Sequence, residues 1–192
     1  MSILCSMTSE SYNLTTEEEL VRASLTGDKK AFGEIVNRYQ KMVARTVKSM
    51  LGDTIFTEDI GQEVFIKLFY SLSEFRGEAK LSTYIQKIAV NLTLNEIKRR
   101  KRFFTMFSQK ANNEMHEFEI ADHDTEKRNE ASELVNKALM EMDYKFRIIV
   151  TMRMLQGYST KETAEILDLP LGTVLSRLSR AQEQLRNILA KL

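Results

Sequence analysis

Residues 158–181 read Y-S-T-K-E-T-A-E-I-L-D-L-P-L-G-T-V-L-S-R-L-S-R-A, and this stretch decides the fold. Ser159 has the oxygen that accepts at a helix start, and Glu162, three residues on, reaches back to the free amide, so a short helix is predicted to about Leu167. Pro170, the only proline in the chain, stops it. Asp168 just before it tolerates the turn conformation usually left to glycine, so two helices meet at a fixed angle. The second helix is predicted from Leu171, with Val174, Leu178 and Leu185 inward and Thr173, Ser176, Arg177 and Arg180 on its exposed early turns. That is the layout of a helix-turn-helix whose second helix enters a major groove. A helical hairpin that merely completes a core has the same leucine spacing. The polar first turn and the two arginines about one turn apart favour DNA binding.

Working outward, 192 residues with 43% apolar content allow one domain or two small ones with packed cores. Seven glycines and one proline among many Leu, Glu, Lys, Met and Ala predict an all-α protein. The net charge of +1 means that nucleic-acid binding must come from locally sorted charge. Residues 97–110 hold six bases (Lys98, Arg99, Arg100, Lys101, Arg102, Lys110) and no acid. Residues 114–126 hold six acids (Glu114, Glu117, Glu119, Asp122, Asp124, Glu126) and no Lys or Arg. Cys5 stands alone, so no internal disulfide forms, which fits a reducing cytoplasm. No apolar run reaches the roughly 18 residues of a membrane span, and no basic residue precedes Arg22 as a secretory signal would require, so a soluble, cytoplasmic protein is expected.

From the N-terminus, residues 1–14 read as a loose polar lead. Thr15 or Thr16 with Glu18 or Glu19 forms a capping box for a short helix ending at Gly27, and Asp28 caps a longer one that runs to Gly52. A third helix, about residues 55–72, is predicted to bury Ile60, Val64, Phe65, Leu68, Phe69 and Leu72. Its polar face opens with Asp59, Gln62 and Glu63, which taken alone read as a solvated surface. In the turn F-R-G-E-A-K-L-S-T, residues 75–83, Ser82 or Thr83 is predicted to cap a helix from Tyr84 to about Phe104. On that helix Asn91 and Asn95 share a face, and residues 98–102 form a basic end. Asparagine suits the edge of an unpaired base, Tyr84 offers a ring for stacking, and the bases suit phosphates; ordinary polar surface is the other reading.

Helical periodicity is lost from about Ser108 to Lys127, so a flexible acidic linker is predicted at residues 108–127, between domains at 15–107 and 128–192. His116 and His123 lie in it without compact ligand spacing, and no metal or cofactor is expected. Helices then resume through Leu139, break near Asp143 and continue to Gly157, as the apolar bed for the helix-turn-helix. No phosphate-cradling glycine loop and no nucleophile–base pair is present, so catalysis and a small-molecule substrate are not expected.

Three motifs in order carry a resemblance: D-I-G-Q-E-V-F at residues 59–65, F-R-G-E-A-K-L-S-T-Y-I-Q-K-I-A-V-N at 75–91, and the stretch at 158–181. Together the chain, over about residues 17–190, resembles an extracytoplasmic-function sigma factor, the compact bacterial class that keeps the two promoter-reading domains. The resemblance implies a non-catalytic subunit that docks on core RNA polymerase (clamp helices and flap), directs it to promoters and helps to melt them. It implies that Asp59, Gln62 and Glu63 face the clamp helices. It further implies that the 75–83 loop with Lys80, Tyr84, Asn91, Asn95, Lys98, Arg99 and Arg100 captures a base flipped from the minus-ten element. At the minus-thirty-five duplex it places Thr173, Leu175, Ser176, Arg177, Ser179 and Arg180. Leu175 stands where a lysine or arginine is common, so apolar contact, as to a thymine methyl, replaces a guanine contact. Tyr84 replaces a frequent tryptophan and Asp168 a frequent glycine. The resemblance also implies that the linker threads a polymerase channel, and that an anti-sigma partner restrains the protein. The other function weighed is a helix-turn-helix regulator that acts without docking on polymerase.

Overall fold

The computed structural model describes residues 15–52, 54–108 and 130–191. The lead at residues 1–14 with Cys5, the six linker acids, Lys110, His116 and His123 lie outside the described residues. Among the described residues every regular element is helical.

Four helices form the first unit: α1 (Glu17–Leu25), α2 (Lys29–Leu51), α3 (Ile55–Ser71) and α4 (Leu81–Ser108). Local chemistry sets their starts. Thr16 Oγ1 accepts from Glu19 N at 3.3 Å while Glu19 Oε2 accepts from Thr16 N at 3.0 Å, the reciprocal cap of α1. Asp28 Oδ1 accepts from Lys30 N and Ala31 N at the head of α2. At the other end of α2, Gly52 has φ +76°, which a side chain rarely adopts. Ile35, Val43, Val47, Val64, Leu68, Leu81, Ile85 and Ala89 close a common core around these helices. Each large aliphatic buried there stabilises the unit by about 1.5–3 kcal/mol, so this interface fixes how α3 lies against α4.

Two expectations are corrected. α4 starts three residues early, at Leu81 rather than Tyr84, because Leu81 is itself a core residue; Ser82 and Thr83 lie inside the helix instead of capping it. On α3, Ile60, Val64 and Leu68 form the inward stripe, which Leu72 continues just past the helix end, and Phe69, expected inside, is 51% exposed at its flank, edge-on to Phe32 at 5.1 Å.

The second unit holds α5 (Glu130–Glu141), α6 (Tyr144–Val150), a π-helical turn (Thr151–Leu155), α7 (Thr160–Leu167) and α8 (Leu171–Leu189). As expected, the chain breaks before α6, where Asp143 caps Lys145 N at 2.9 Å. Ser159 Oγ accepts from Glu162 N at 3.1 Å, and Glu162 Oε2 accepts from Ser159 N at 2.8 Å. Asp168 at φ +52° is the one described residue besides glycine with positive φ, and α8 starts directly after Pro170. The helix-turn-helix is therefore built as its local sequence dictates.

The two units share a core. Met50 and Val90 of the first pack with Ile148, Ile149, Met152, Ile166 and Val174 of the second. The π-helical turn brings Gln156 Nε2 to Thr46 Oγ1 at 3.2 Å, and Gln86 Nε2 reaches the same hydroxyl at 2.6 Å.

Candidate nucleic-acid interface

Asp59, Gln62 and Glu63 are all exposed on α3, as a docking face requires. Asp59 and Glu63 line a cleft of about 520 Å³ between α3 and α4, opposite Asn95, Arg99 and Arg102. Acids read as polymerase-facing and polar groups read as DNA-facing thus border one depression. Phe56 forms part of its rim, and the Arg100 guanidinium lies 4.5 Å from the centre of its ring.

Charge pairing modifies the basic end of α4. Glu96 takes Arg99 Nε at 2.7 Å and Nη2 at 2.8 Å, and it takes Arg100 Nε at 2.9 Å. The hydrogen bond from Arg99, followed by that from Arg100, outweighs burial and lowers the Glu96 carboxyl from its ordinary 4.5 to about 2. Both arginines are aligned by this carboxylate, which also competes with phosphate for them. Lys98, Lys101 and Arg102 are exposed on the same end.

Loop 75–80 and the start of α4 form a second cleft, about 330 Å³, bordered by Phe75, Arg76, Thr83, Tyr84 and Lys87. The Tyr84 ring lies 5.3 Å from that of Phe75, and its hydroxyl donates to the Ser71 carbonyl at 3.0 Å. Its ring is therefore held in place beside the loop. Lys80 is exposed and reaches across to Glu162 Oε1 at 3.4 Å. Asn91 is exposed further along α4, as is Asn95. Sequence reading did not single out Arg76 or Lys87 here. The signal for Lys87 was its place three residues after Tyr84, on the same side of a helix.

On α8, Leu175, Ser176, Ser179 and Arg180 are exposed and Thr173 and Arg177 are partly so. Ser176 Oγ is turned back on the Thr173 carbonyl at 3.0 Å, whereas Leu175 is 52% exposed. Val174 and Ala181, both fully buried, fix the rotation that presents this face. Among the described residues, no three His, Cys, Asp or Glu side chains gather as metal ligands, and no helix is long and apolar enough to cross a membrane.

The Sigma-70 region 2 family matches residues 35–103 and the Sigma-70, region 4 family matches residues 132–185. The chain is 31% identical over 173 residues to the ECF RNA polymerase sigma factor SigW of Bacillus subtilis, a match covering 86% of this chain and 92% of that protein. It is 34% identical over 179 residues to the ECF RNA polymerase sigma-E factor of Haemophilus influenzae, covering 90% and 94%. Among solved structures, CnrH in complex with the cytosolic domain of CnrY has the same fold, with TM-score 0.66, 20% identity and coverage of 90% of this chain and 96% of that one. So has the sigma factor RpoE bound to the anti-sigma factor NepR from Bartonella quintana, with TM-score 0.66, 20% identity and coverage of 84% and 98%. With both regions matched in order and relatives aligned over nearly their whole length, the chain belongs to the ECF RNA polymerase sigma factors.

Proposed function

We propose that the protein binds core RNA polymerase through the α3 face, directs it to a set of promoters, and helps to open them, with no catalysis of its own. Family membership over both regions supports this reading, and it disfavours a regulator that acts without polymerase. The observation that carries the assignment of sites is the exposed trio Asp59, Gln62 and Glu63 on a helix locked to α4, on the same chain as a helix-turn-helix with an open α8 face. In this reading the domains run over residues 15–107 and 128–192, with the strap between them in a polymerase channel.

At the minus-thirty-five duplex, Arg177 and Arg180 hold phosphates and Leu175 offers apolar contact to a base. At the minus-ten element, one base leaves the stack and lodges between loop 75–80 and Tyr84, while Asn91 and Asn95 meet base edges and the basic end of α4 holds the backbone. Unstacking costs a few kcal/mol, so a pocket that accepts one base selects sequence and stabilises the melted strand in the same step. The site of action is then where polymerase and chromosome are, the cytoplasm. An anti-sigma partner that covers these surfaces is part of the proposal, supported by the NepR complex of the solved relative.

Run-off transcription with purified core polymerase on a promoter library tests it. Wild-type protein should copurify with core enzyme and yield discrete transcripts. Asp59→Lys with Glu63→Lys should abolish both without changing thermal stability, because the two side chains are exposed. Tight, specific duplex binding in the absence of polymerase, with no effect of that double variant, would favour the plain regulator.

A further inference from the structure

The helix-turn-helix unit does not stand clear of the minus-ten loop. α7 packs directly on α4, Glu162 from its first turn reaches Lys80, and Glu165 one turn later borders the cleft of Phe75, Arg76, Tyr84 and Lys87. Glu162 and Glu165 thus add to the loop's own Glu74 and Glu78, so four carboxylates sit among Arg76, Lys80 and Lys87 at the mouth of the site read above as the one that receives a single strand, and two of the four come from α7. An exposed Lys–Glu pair contributes little to stability alone, so what holds α7 there must lie behind it.

Behind it is the shared core of Met50, Val90, Ile148, Ile149, Met152 and Ile166, crossed by one polar cluster. Thr46 Oγ1 takes Gln86 Nε2 at 2.6 Å and Gln156 Nε2 at 3.2 Å, and Gln86 also touches Met152 Sδ at 3.4 Å. Gln86 is fully buried, yet its Oε1 has no hydrogen-bond partner. A buried amide with one unsatisfied end costs this interface part of its gain through desolvation. That is the character of a contact that forms and parts.

We propose that this packing is a self-masked state, in which α7 covers the minus-ten loop with Glu162 and Glu165 in place of DNA phosphates, and in which the Thr46–Gln86–Gln156 cluster holds the two units closed. Single-stranded DNA then competes with the chain's own carboxylates, and polymerase or promoter must separate the units before the loop is filled. The proposal rests on reading the loop as the minus-ten site.

Fluorescent dyes on Lys41→Cys and Glu183→Cys, in a Cys5→Ser background, report separation by energy transfer, and anisotropy with a labelled random-sequence single-stranded DNA pool reports binding. Thr46→Glu and the isosteric Gln86→Glu each place a charge in the closed interface; transfer should fall, and DNA should bind on the order of fivefold to tenfold more tightly although the variants add negative charge. Glu162→Gln with Glu165→Gln, which keeps the cap of α7 and changes only exposed or partly exposed groups, should tighten DNA binding more than the remote pair Glu18→Gln with Glu133→Gln. Circular dichroism checks that each variant is folded. Low transfer in the wild-type chain, unchanged transfer in both interface variants, or separation without tighter DNA binding each overturns the masking. Run-off transcription by the wild-type chain separates the two readings: success there with no gain in the variants removes the masking alone, and failure there removes the minus-ten assignment together with it.

Discussion

Arg147 Nη1 donates to the carbonyl oxygen of Met50 at 2.5 Å, across 97 positions of chain. Its other terminal nitrogen, Nη2, donates to the carbonyls of Met140 at 2.7 Å and Met142 at 2.9 Å. One guanidinium thus serves the C-terminal ends of α2 and α5, where helix dipoles concentrate negative charge. Burial lowers its pKa from 12.5 to about 10, still far above neutrality, so the group stays charged. Arg147→Met keeps an apolar stem but strips three carbonyls of their donor, and should destabilise the chain by roughly 2–4 kcal/mol. Urea unfolding checks it, and Arg147→Lys, which has no planar fork, should fall between.

Acid sensitivity should trace to Glu96. Its carboxyl is lowered from 4.5 to about 2 by the hydrogen bonds from Arg99 and Arg100, so ionised Glu96 favours the folded state. That contribution is complete above about pH 4.5 and disappears as pH falls from 4.5 towards 2. Glu96→Gln should flatten the stability curve in that window and leave its neutral end lowered by under about 1 kcal/mol, since Arg99 is solvent-exposed. The same variant releases two guanidinium groups, and single-stranded DNA binding should become tighter and steeper in salt.

Local chemistry in this chain was legible because each signal is completed within a few residues. The Ser159–Glu162 box, the Asp168 turn and the Pro170 stop involve no distant partner, and all three are built as read. The inward face of α8, with Val174 at its centre, followed equally from spacing. Tertiary outcomes were not legible. Thr46 holds an inward position of α2 by its spacing and is buried as that spacing requires, whereas Gln86 is polar and was not singled out; only Gln156, 110 and 70 positions away, joins the two into an interface. Glu96 lies just before the basic end of α4 and was not singled out; its pairing with Arg99 and Arg100 depends on rotamers that no composition reveals. Phe69 was assigned inward by its apolar character, but α3 offers α2 and α4 only the stripe of Ile60, Val64 and Leu68, and a ring one position round the helix from Leu68 stays half in water.

The helix-turn-helix hinge gives two opposite stability shifts. Ser159→Ala removes the acceptor for Glu162 N and should cost about 1 kcal/mol. Asp168 at φ +52° carries a Cβ in left-handed backbone, so Asp168→Gly should be neutral or stabilising by up to about 1 kcal/mol, and Asp168→Val should be clearly destabilising. Opposite signs from Asp168→Gly and Asp168→Val in thermal unfolding would identify backbone strain, rather than lost side-chain contact, as the cause.

Promoter preference is expected to divide between two exposed residues of α8. Arg180 is exposed on the face read as lying along the phosphates, so Arg180→Ala should weaken binding by similar factors on all sequences and reduce the salt slope by about one. Leu175 is 52% exposed with no side-chain polar atom to offer, so in the proposed docking its contribution is one of shape and methyl groups. Leu175→Ala should cost about 1 kcal/mol or less on a preferred minus-thirty-five sequence and nothing on a random one. Leu175→Arg supplies two donors at that place and should move preference towards guanine at a single base pair, by about 1–3 kcal/mol of discrimination. Selection of minus-thirty-five variants by holoenzyme carrying each protein reads this directly: a shift confined to one position supports base contact by residue 175, and a uniform change at all positions shows that it only adds charge.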